Sequence, residues 1–407
     1  MSEGADTGLR LGIAGLGMAA ARILPEIAPL PFVRLTGAAD VRGHALERFA
    51  REFDARVYGS VEELCDSDAV DAVYVATPHE HHAEHSIAAM ERGKHVIVEK
   101  PMALSLDEAE AMNAAADRYG VKLMSGHTHS FDPPVRKMAE VVAGGQLGKL
   151  LMISTAYYKD HMYRPFSDHD IRMSRGVVLN QGPHQFDIVR LIGGGLVRSV
   201  RATAGVGDPR RPGEGHYACH LEFEDGVPAS LVYSGYAYFD TAELVWGVGE
   251  GGLAKDPERH PKARAFFRGL GEGAERGEGL ERKLEAWRYG GAGGGPGAET
   301  EAGPRHQPFF GLTVVTCEKG EMRQSRDGLY IYDDHGRREI PVEPRVRGRE
   351  AELREFHDAI LHDRQPFHDG RWGEATLEVC LGVLESAKER REVYMSHQVG
   401  CGSPSLI

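Results

Sequence analysis

Apolar positions run from Leu9 to Ala14 and stop at Gly-Leu-Gly, after which Met18 to Ala28 has helical composition until Pro29 and Pro31 interrupt it. The order predicts strand, tight turn and helix. Leu35 to Ala39 reads as a second strand, Gly43 to Phe53 as a helix, and Ala69 to Ala76 as a near-continuous apolar strand buried on both faces. His82 to Arg92 is then a helix closed by Gly93, His95 to Val98 a strand, Leu106 to Tyr119 a helix closed by Gly120, and Lys122 to Ser125 a further strand. Strands alternating with helices specify a parallel sheet covered on both sides. This predicts an α/β domain over residues 1–127.

Beyond residue 128 the period changes from helical to twofold. Leu150 to Tyr158, Val197 to Ala204, Tyr217 to Glu224, Ala229 to Tyr238, Gly311 to Glu318 and Gly328 to Asp333 read as strands of an open, mainly antiparallel sheet. Helical patches at Val135 to Val142, His184 to Leu191, Arg349 to His362 and Gly373 to Arg390 complete an α+β domain over residues 128–407. Within it, Asp256 to Arg288 is charged and helix-prone, and YGGAGGGPGAETEAG follows. That composition cannot bury enough apolar area to order itself alone, so 256–303 reads as an insertion with a mobile loop.

Composition narrows the function classes. The 407 residues carry a formal charge of −13, which opposes a phosphate backbone, and no basic stripe offsets it, so a nucleic-acid partner is not expected. No apolar run approaches the roughly 20 residues of a membrane span, so no membrane partner is expected either. Five dispersed cysteines without a CxxC pair fit reduced thiols, and the first ten residues lack a secretory pattern. The expected location is cytoplasmic.

Gly15-x-Gly17-x-x-Ala20 lies between a predicted strand and a predicted helix that Met18 and Ala19 open. In that setting glycines let the backbone approach a pyrophosphate held on N–H groups at the helix N-terminus. Asp40 follows Gly17 by 23 positions, near the spacing at which a carboxylate holds adenosine ribose hydroxyls. Asp40 favours NAD because a carboxylate repels a 2′-phosphate, whereas Arg42 could receive one and leaves NADP open. His79, His81, His82 and His85 follow Thr77 and Pro78, and His81 and His85 have i, i+4 spacing. Without a cysteine or a carboxylate of defined spacing they read as a cofactor-edge loop leading into a helix, with no metal. Glu99-Lys100-Pro101 ends the fourth strand, on the rim where open α/β sheets bind ligands, and a lysine before proline is held extended.

The segments GLGMAA, ATPHEHHAEHSIAAMERGKHVIVEKP, GVVLNQGPHQFDIVRLIGG, REFHDAILHDRQP and TLEVCLGVLESAKERREV occur in this order. Together they make the chain resemble the oxidoreductase family typified by glucose-fructose oxidoreductase, inositol dehydrogenase and MocA. The resemblance covers most of the chain outside 256–303. It implies that the α/β domain over residues 1–127 is a Rossmann domain. It also implies hydride transfer at a secondary alcohol or ketone, a homo-oligomer (dimer or tetramer) formed through the open sheet, Lys100 and His184 facing substrate, and Thr77, Pro78, His82 and Glu99 lining the cofactor.

Two departures from the family pattern stand out. Asn180 replaces the Asp usual before His184, and a neutral amide stabilises an imidazolium less than a carboxylate would, which suits a general base. His127 and His129 lie in a segment, Gly126 to Phe131, where many relatives place an arginine before the phenylalanine. Arg164, Arg172 and Arg175 precede the Asn180 motif, and guanidinium forks recognise carboxylates bidentately. The phrases RLGIAGLGMA and GVVLNQGPHQFD further resemble the branch that acts on phthalate cis-4,5-dihydrodiol. The implied reaction takes a hydride from a secondary hydroxyl of a cyclic vicinal diol, with His184 as base and Lys100 and Asn180 bonding the alkoxide. A sugar or inositol dehydrogenase and a non-catalytic NAD(P)-binding regulator are the alternatives within the family.

Overall fold

The computed structural model describes residues 8–163, 176–211, 213–256, 259–269, 284–291, 304–343 and 348–401. It divides into two compact units. The first comprises residues up to Gly126 together with Glu281–Thr300 and Arg349–Glu374; the second comprises His127–Leu280, Glu301–Gly348 and Ala375–Ile407.

In the first unit the strands are β1 (Leu9–Ala14), β2 (Val33–Ala39), β3 (Arg56–Tyr58), β4 (Ala72–Val75), β5 (His95–Glu99) and β6 (Leu123–Gly126). Among the described residues they form one sheet in the order β3-β2-β1-β4-β5-β6, with parallel pairing throughout. The sheet centre is apolar on both faces: Leu11, Ile13, Val73, Tyr74, Val96 and Ile97 are all buried, as parallel strands covered by helices must be. The strand order changes direction at β1 and β4, so their carboxyl ends open the crevice where such sheets take ligands. Helix termini follow local chemistry. Ser105 Oγ accepts from the Glu108 N–H, Glu108 Oε2 accepts from the Leu104 N–H at 2.8 Å, and Gly120 closes that helix at φ +63°.

The second unit carries β7 (Leu150–Tyr158), β8 (Val197–Gly205), β9 (His216–Phe223), β10 (Pro228–Ser234), β11 (Leu312–Cys317), β12 (Gly320–Ser325), β13 (Gly328–Asp333), β14 (Gly336–Pro341) and β15 (Val393–Tyr394). Among the described residues their order is β14-β13-β12-β11-β7-β10-β9-β8-β15. All pairs are antiparallel except β7 with β10, which run parallel from Ile153/Ala229 to Tyr158/Ser234. The mainly antiparallel expectation is met, with that one exception. Helix Gly182–Ile192 packs onto this sheet: Gln185 Nε2 donates to the Val232 carbonyl and to Thr155 Oγ1, and its Oε1 accepts from Tyr217 Oη at 2.7 Å.

The insertion contains a helix at Arg259–Gly269 and a short docked segment, 284–291, that belongs with the first unit. All five cysteines are free. Among the described residues no helix is long and apolar enough to cross a membrane.

Candidate active site

In the first unit the glycine-rich turn closes β1. Gly15 has φ +92°, and a Cβ there would lie 2.7 Å from the Ala76 carbonyl oxygen, so close passage of β1 past the end of β4 requires glycine. Gly17 differs, because a Cβ there would meet nothing within 4 Å. It caps helix Met18–Ile27, whose first residues are Met18 and Ala19, and the N-terminus of such a helix is where an anion is favoured. Asp40 ends β2, accepting from the Leu16 N–H at 2.6 Å and the Arg42 N–H at 2.8 Å. The glycine turn and the ribose-binding carboxylate expected from sequence are therefore hydrogen-bonded to each other. These residues fit a dinucleotide.

Thr77 and Pro78 leave the end of β4, with His79 in the following 3₁₀ turn. His82 is fully buried, with Nδ1 2.8 Å from the Pro101 carbonyl and Nε2 2.9 Å from the Thr77 carbonyl. Burial lowers its pKa against the pull of both carbonyls, and one imidazole thereby ties the β4 turn to the β5 turn. His85 bonds the Thr77 hydroxyl at 3.0 Å. The sequence reading credited no carboxylate of defined spacing among these histidines, but Glu84 lies there: potential ligand atoms of His81, Glu84 and His85 lie within 4.8 Å of one another.

Lys100 follows β5, with a cis peptide to Pro101, and its N–H donates to Glu99 Oε2 at 3.3 Å. Glu99 is buried in a charge cluster that sequence reasoning did not anticipate. Its Oε1 accepts from Tyr74 Oη at 2.9 Å, and Arg349 Nη1 lies 2.6 Å from Tyr74 Oη, 2.9 Å from Glu352 and 3.4 Å from Glu99. Burial alone would raise the Glu99 carboxyl, but Arg349 and Lys100 outweigh it and hold the group below its ordinary value. Glu99 is thus a buried carboxylate that Arg349 and Lys100 hold in its anionic form.

In the second unit a short turn, Thr128–Phe131, presents His129, whose Nδ1 lies 2.8 Å from Asp132 Oδ2. Asp132 is buried, and its side chain makes no cap bond to the helix it precedes, Pro133–Ala143. The His129 ring meets that of His184 edge to face at a centroid distance of 4.8 Å, and Phe310 packs on both, at 4.8 Å and 5.0 Å. Phe310 in turn meets Tyr157 at 4.9 Å. Asp132 is a residue that sequence reasoning missed; it sits in Phe-Asp-Pro, a pattern that carries no signal of its own.

Asn180 ends the helix Gly176–Asn180, and its Oδ1 accepts from Gln181 Nε2 at 2.8 Å. Asp187, three residues after His184, is buried and accepts from the hydroxyls of Ser130 and Thr376, so it fixes the turn bearing His129 to the helix bearing His184. His127 is buried at the start of that turn. Lys159 is buried beside Glu250 and over the Tyr157 ring, at 4.9 Å. Arg164, Arg172 and Arg175 lie outside the described residues.

In the first unit a glycine turn and a lysine stand at the end of a parallel sheet, and in the second a histidine pair stands beside a carboxylate. Comparison with known proteins identifies the family. Residues 9–127 match the oxidoreductase family with an NAD-binding Rossmann fold, and residues 135–254 match the GFO/IDH/MocA C-terminal domain. The chain is 34% identical over 98% of its length to the 1-carboxy-3-chloro-3,4-dihydroxycyclohexa-1,5-diene dehydrogenase of Comamonas testosteroni, covering 99% of that protein. It is 31% identical over 49% of its length to a Thermotoga maritima myo-inositol 2-dehydrogenase, 59% of which is matched. A solved putative dehydrogenase from Bordetella bronchiseptica RB50 superposes with a TM-score of 0.87 at 37% identity, over 95% of this chain and 100% of that one. The chain belongs to the GFO/IDH/MocA family and is an oxidoreductase with a Rossmann NAD-binding domain.

Proposed function

We propose that this oxidoreductase oxidises a carboxylated cyclic vicinal diol, with phthalate cis-4,5-dihydrodiol as the first substrate to try and NAD as its cofactor. The observation that carries the reading is likeness over nearly the whole chain to a dehydrogenase named for a carboxylated dihydroxycyclohexadiene. Paired imidazoles support it, because a vicinal diol offers two adjacent hydroxyls for two adjacent rings.

Gly15, Gly17, Met18, Ala19 and Asp40 hold the dinucleotide in this reading, with Thr77, Pro78, His79 and Glu99 around its nicotinamide end. When bound, the nicotinamide accepts hydride from the carbinol carbon. His184 takes the hydroxyl proton, while Lys100 and the Asn180 amide donate to the oxygen as charge develops on it. Asp132 accepts from His129 Nδ1–H, which leaves Nε2 with the lone pair that receives the neighbouring hydroxyl. Arg164, Arg172 and Arg175 are assigned to the substrate carboxylate on sequence grounds. Aromatisation of the product ketone to a catechol makes the oxidation strongly downhill.

Absorbance of reduced nicotinamide, followed with phthalate cis-4,5-dihydrodiol, myo-inositol and glucose in turn, tests the reading. Turnover confined to the dihydrodiol supports it. Turnover confined to the polyols replaces it with the sugar or inositol reading, and none with any of them, despite cofactor binding, with the regulator.

A further inference from the structure

Residues 284–291 pack against the surface where the sequence places the adenosine end of a dinucleotide. The Tyr289 N–H donates to the Gly17 carbonyl at 3.3 Å, and its phenol donates to Glu52 Oε2 at 2.8 Å. Its ring lies against Phe49 and Phe53, under the Arg48 guanidinium at 5.2 Å. Leu284 and Tyr289 are both buried, and a Cβ on Gly290, at φ +88°, would lie 3.1 Å from Ala45 Cα. Aromatic packing and hydrogen bonds thus dock a segment that joins the helix-prone stretch ending at Arg288 to the start of the glycine-rich one. Burial of Tyr289 against Phe49 and Phe53, with Leu284 buried as well, supplies the apolar area that orders it.

Docking delivers Glu285 to Arg42. The Arg42 guanidinium donates from Nε to Asp40 Oδ1 at 3.0 Å, from Nη1 to Glu285 Oε1 at 3.2 Å and the Tyr289 carbonyl at 3.3 Å, and from Nη2 to the Leu16 carbonyl at 2.5 Å. Glu285 also takes His44 Nε2 at 2.9 Å and Arg288 Nη1 at 3.2 Å. The charged groups facing the cluster are therefore Asp40, Glu285 and Glu52 against Arg42, Arg48 and Arg288, with His44 beside them. Sequence offered Arg42 as a receiver for a 2′-phosphate. In the folded chain its donors are directed elsewhere, and a phosphate arriving there would meet the Asp40 and Glu285 carboxylates.

We propose that segment 284–291 makes the enzyme selective for NAD over NADP, by committing Arg42, the cation a 2′-phosphate would need, to Glu285. This rests on the dinucleotide reading of Gly15, Gly17 and Asp40. Fluorescence titration of NADH and NADPH into the full chain tests it without turnover. The wild type should bind NADH at least about 100-fold more tightly, and Glu285→Gln should narrow that ratio about tenfold by tightening NADPH, since Arg42, His44 and Arg288 lose their shared anion. Tyr289→Ala, which undocks the segment, should narrow it as well. A wild type that binds both cofactors equally, or a Glu285→Gln ratio equal to that of wild type, overturns the proposal; the wild-type ratio decides alone if a variant fails to fold. Binding of neither cofactor to wild type would overturn the dinucleotide reading itself, a different failure.

Discussion

His129 and His184 meet edge to face at 4.8 Å, and the carboxylate that orients this pair comes from Asp132, 2.8 Å from His129 Nδ1. The family's usual acidic neighbour of the second histidine is Asn180 here. A carboxylate is thus present one imidazole away from the position where sequence comparison would look for it. Asp132→Asn should leave the fold intact and lower kcat by about 10²-fold, because an amide no longer selects the His129 tautomer. Steady-state kinetics beside NADH titration checks this: cofactor affinity should be unchanged, and an unchanged kcat would remove Asp132 from the account.

Gly15 and Gly17 separate folding from binding. Gly15→Ala places a Cβ against the Ala76 carbonyl at a left-handed φ and should cost about 2 kcal/mol of stability or more. Gly17→Ala adds its methyl to open space, so thermal melting should barely move while cofactor affinity falls about tenfold or more. Equal melting shifts in the two variants would argue against this division.

Arg349 neutralises Glu99, the residue before Lys100. Arg349→Met leaves a buried carboxylate without its main cation and should destabilise the protein by about 3–5 kcal/mol at pH 7. The pH dependence follows from the lowered Glu99 pKa. A carboxyl depressed by folding contributes stability that is fully present above its unfolded value, about 4.3, and that fades as the pH falls through the lower folded value. Denaturant melts of wild type should therefore weaken on the acid side of about pH 4.3, and Arg349→Met should begin to recover its deficit there as Glu99 protonates. A deficit independent of pH would show that Arg349 acts by packing alone.

Lys100→Met tests the assigned cation. The prediction is a loss of turnover of about 10³-fold or more with NADH affinity near that of wild type, since the lysine acts on charge developing at the substrate oxygen. Full activity in this variant would remove Lys100 from the mechanism.

Much of the fold was legible because its elements carry strong periodic signals. The helices Gly43–Phe53 and Leu106–Tyr119 and the strands Leu9–Ala14 and Leu150–Tyr158 fall where the apolar pattern and the glycine stops put them. Three of the missed strands, β3, β14 and β15, are edge pieces, whereas β12 (Gly320–Ser325) lies inside the sheet: every residue of Gly336–Pro341 is exposed or half-exposed, and charges at Arg337, Arg338 and Glu339 mask its pairing with β13. Helix Val61–Cys65 was missed because it is short, although the Ser60-x-x-Glu63 spacing announces it; Ser60 Oγ accepts from the Glu63 N–H and Glu63 Oε2 from the Gly59 N–H. In the site, Lys100, His184 and the glycine turn were legible as motifs. Arg349 and the docking of Tyr289 were not, because each acts through partners distant in sequence that only folding brings near; Asp132 lies only three residues from His129, in a turn whose residues carry no periodic signal. Glu84 was a plainer oversight, lying in the same helix turn as the histidines it joins.

The claim that the substrate is a carboxylated cyclic diol is tested most directly by kcat/KM for phthalate cis-4,5-dihydrodiol against the same ring without its carboxylates, each with NAD. Loss of bidentate carboxylate contacts predicts a ratio of about 100 or more in favour of the dicarboxylate. A ratio near one, or a preference for the uncharged ring, would contradict the account.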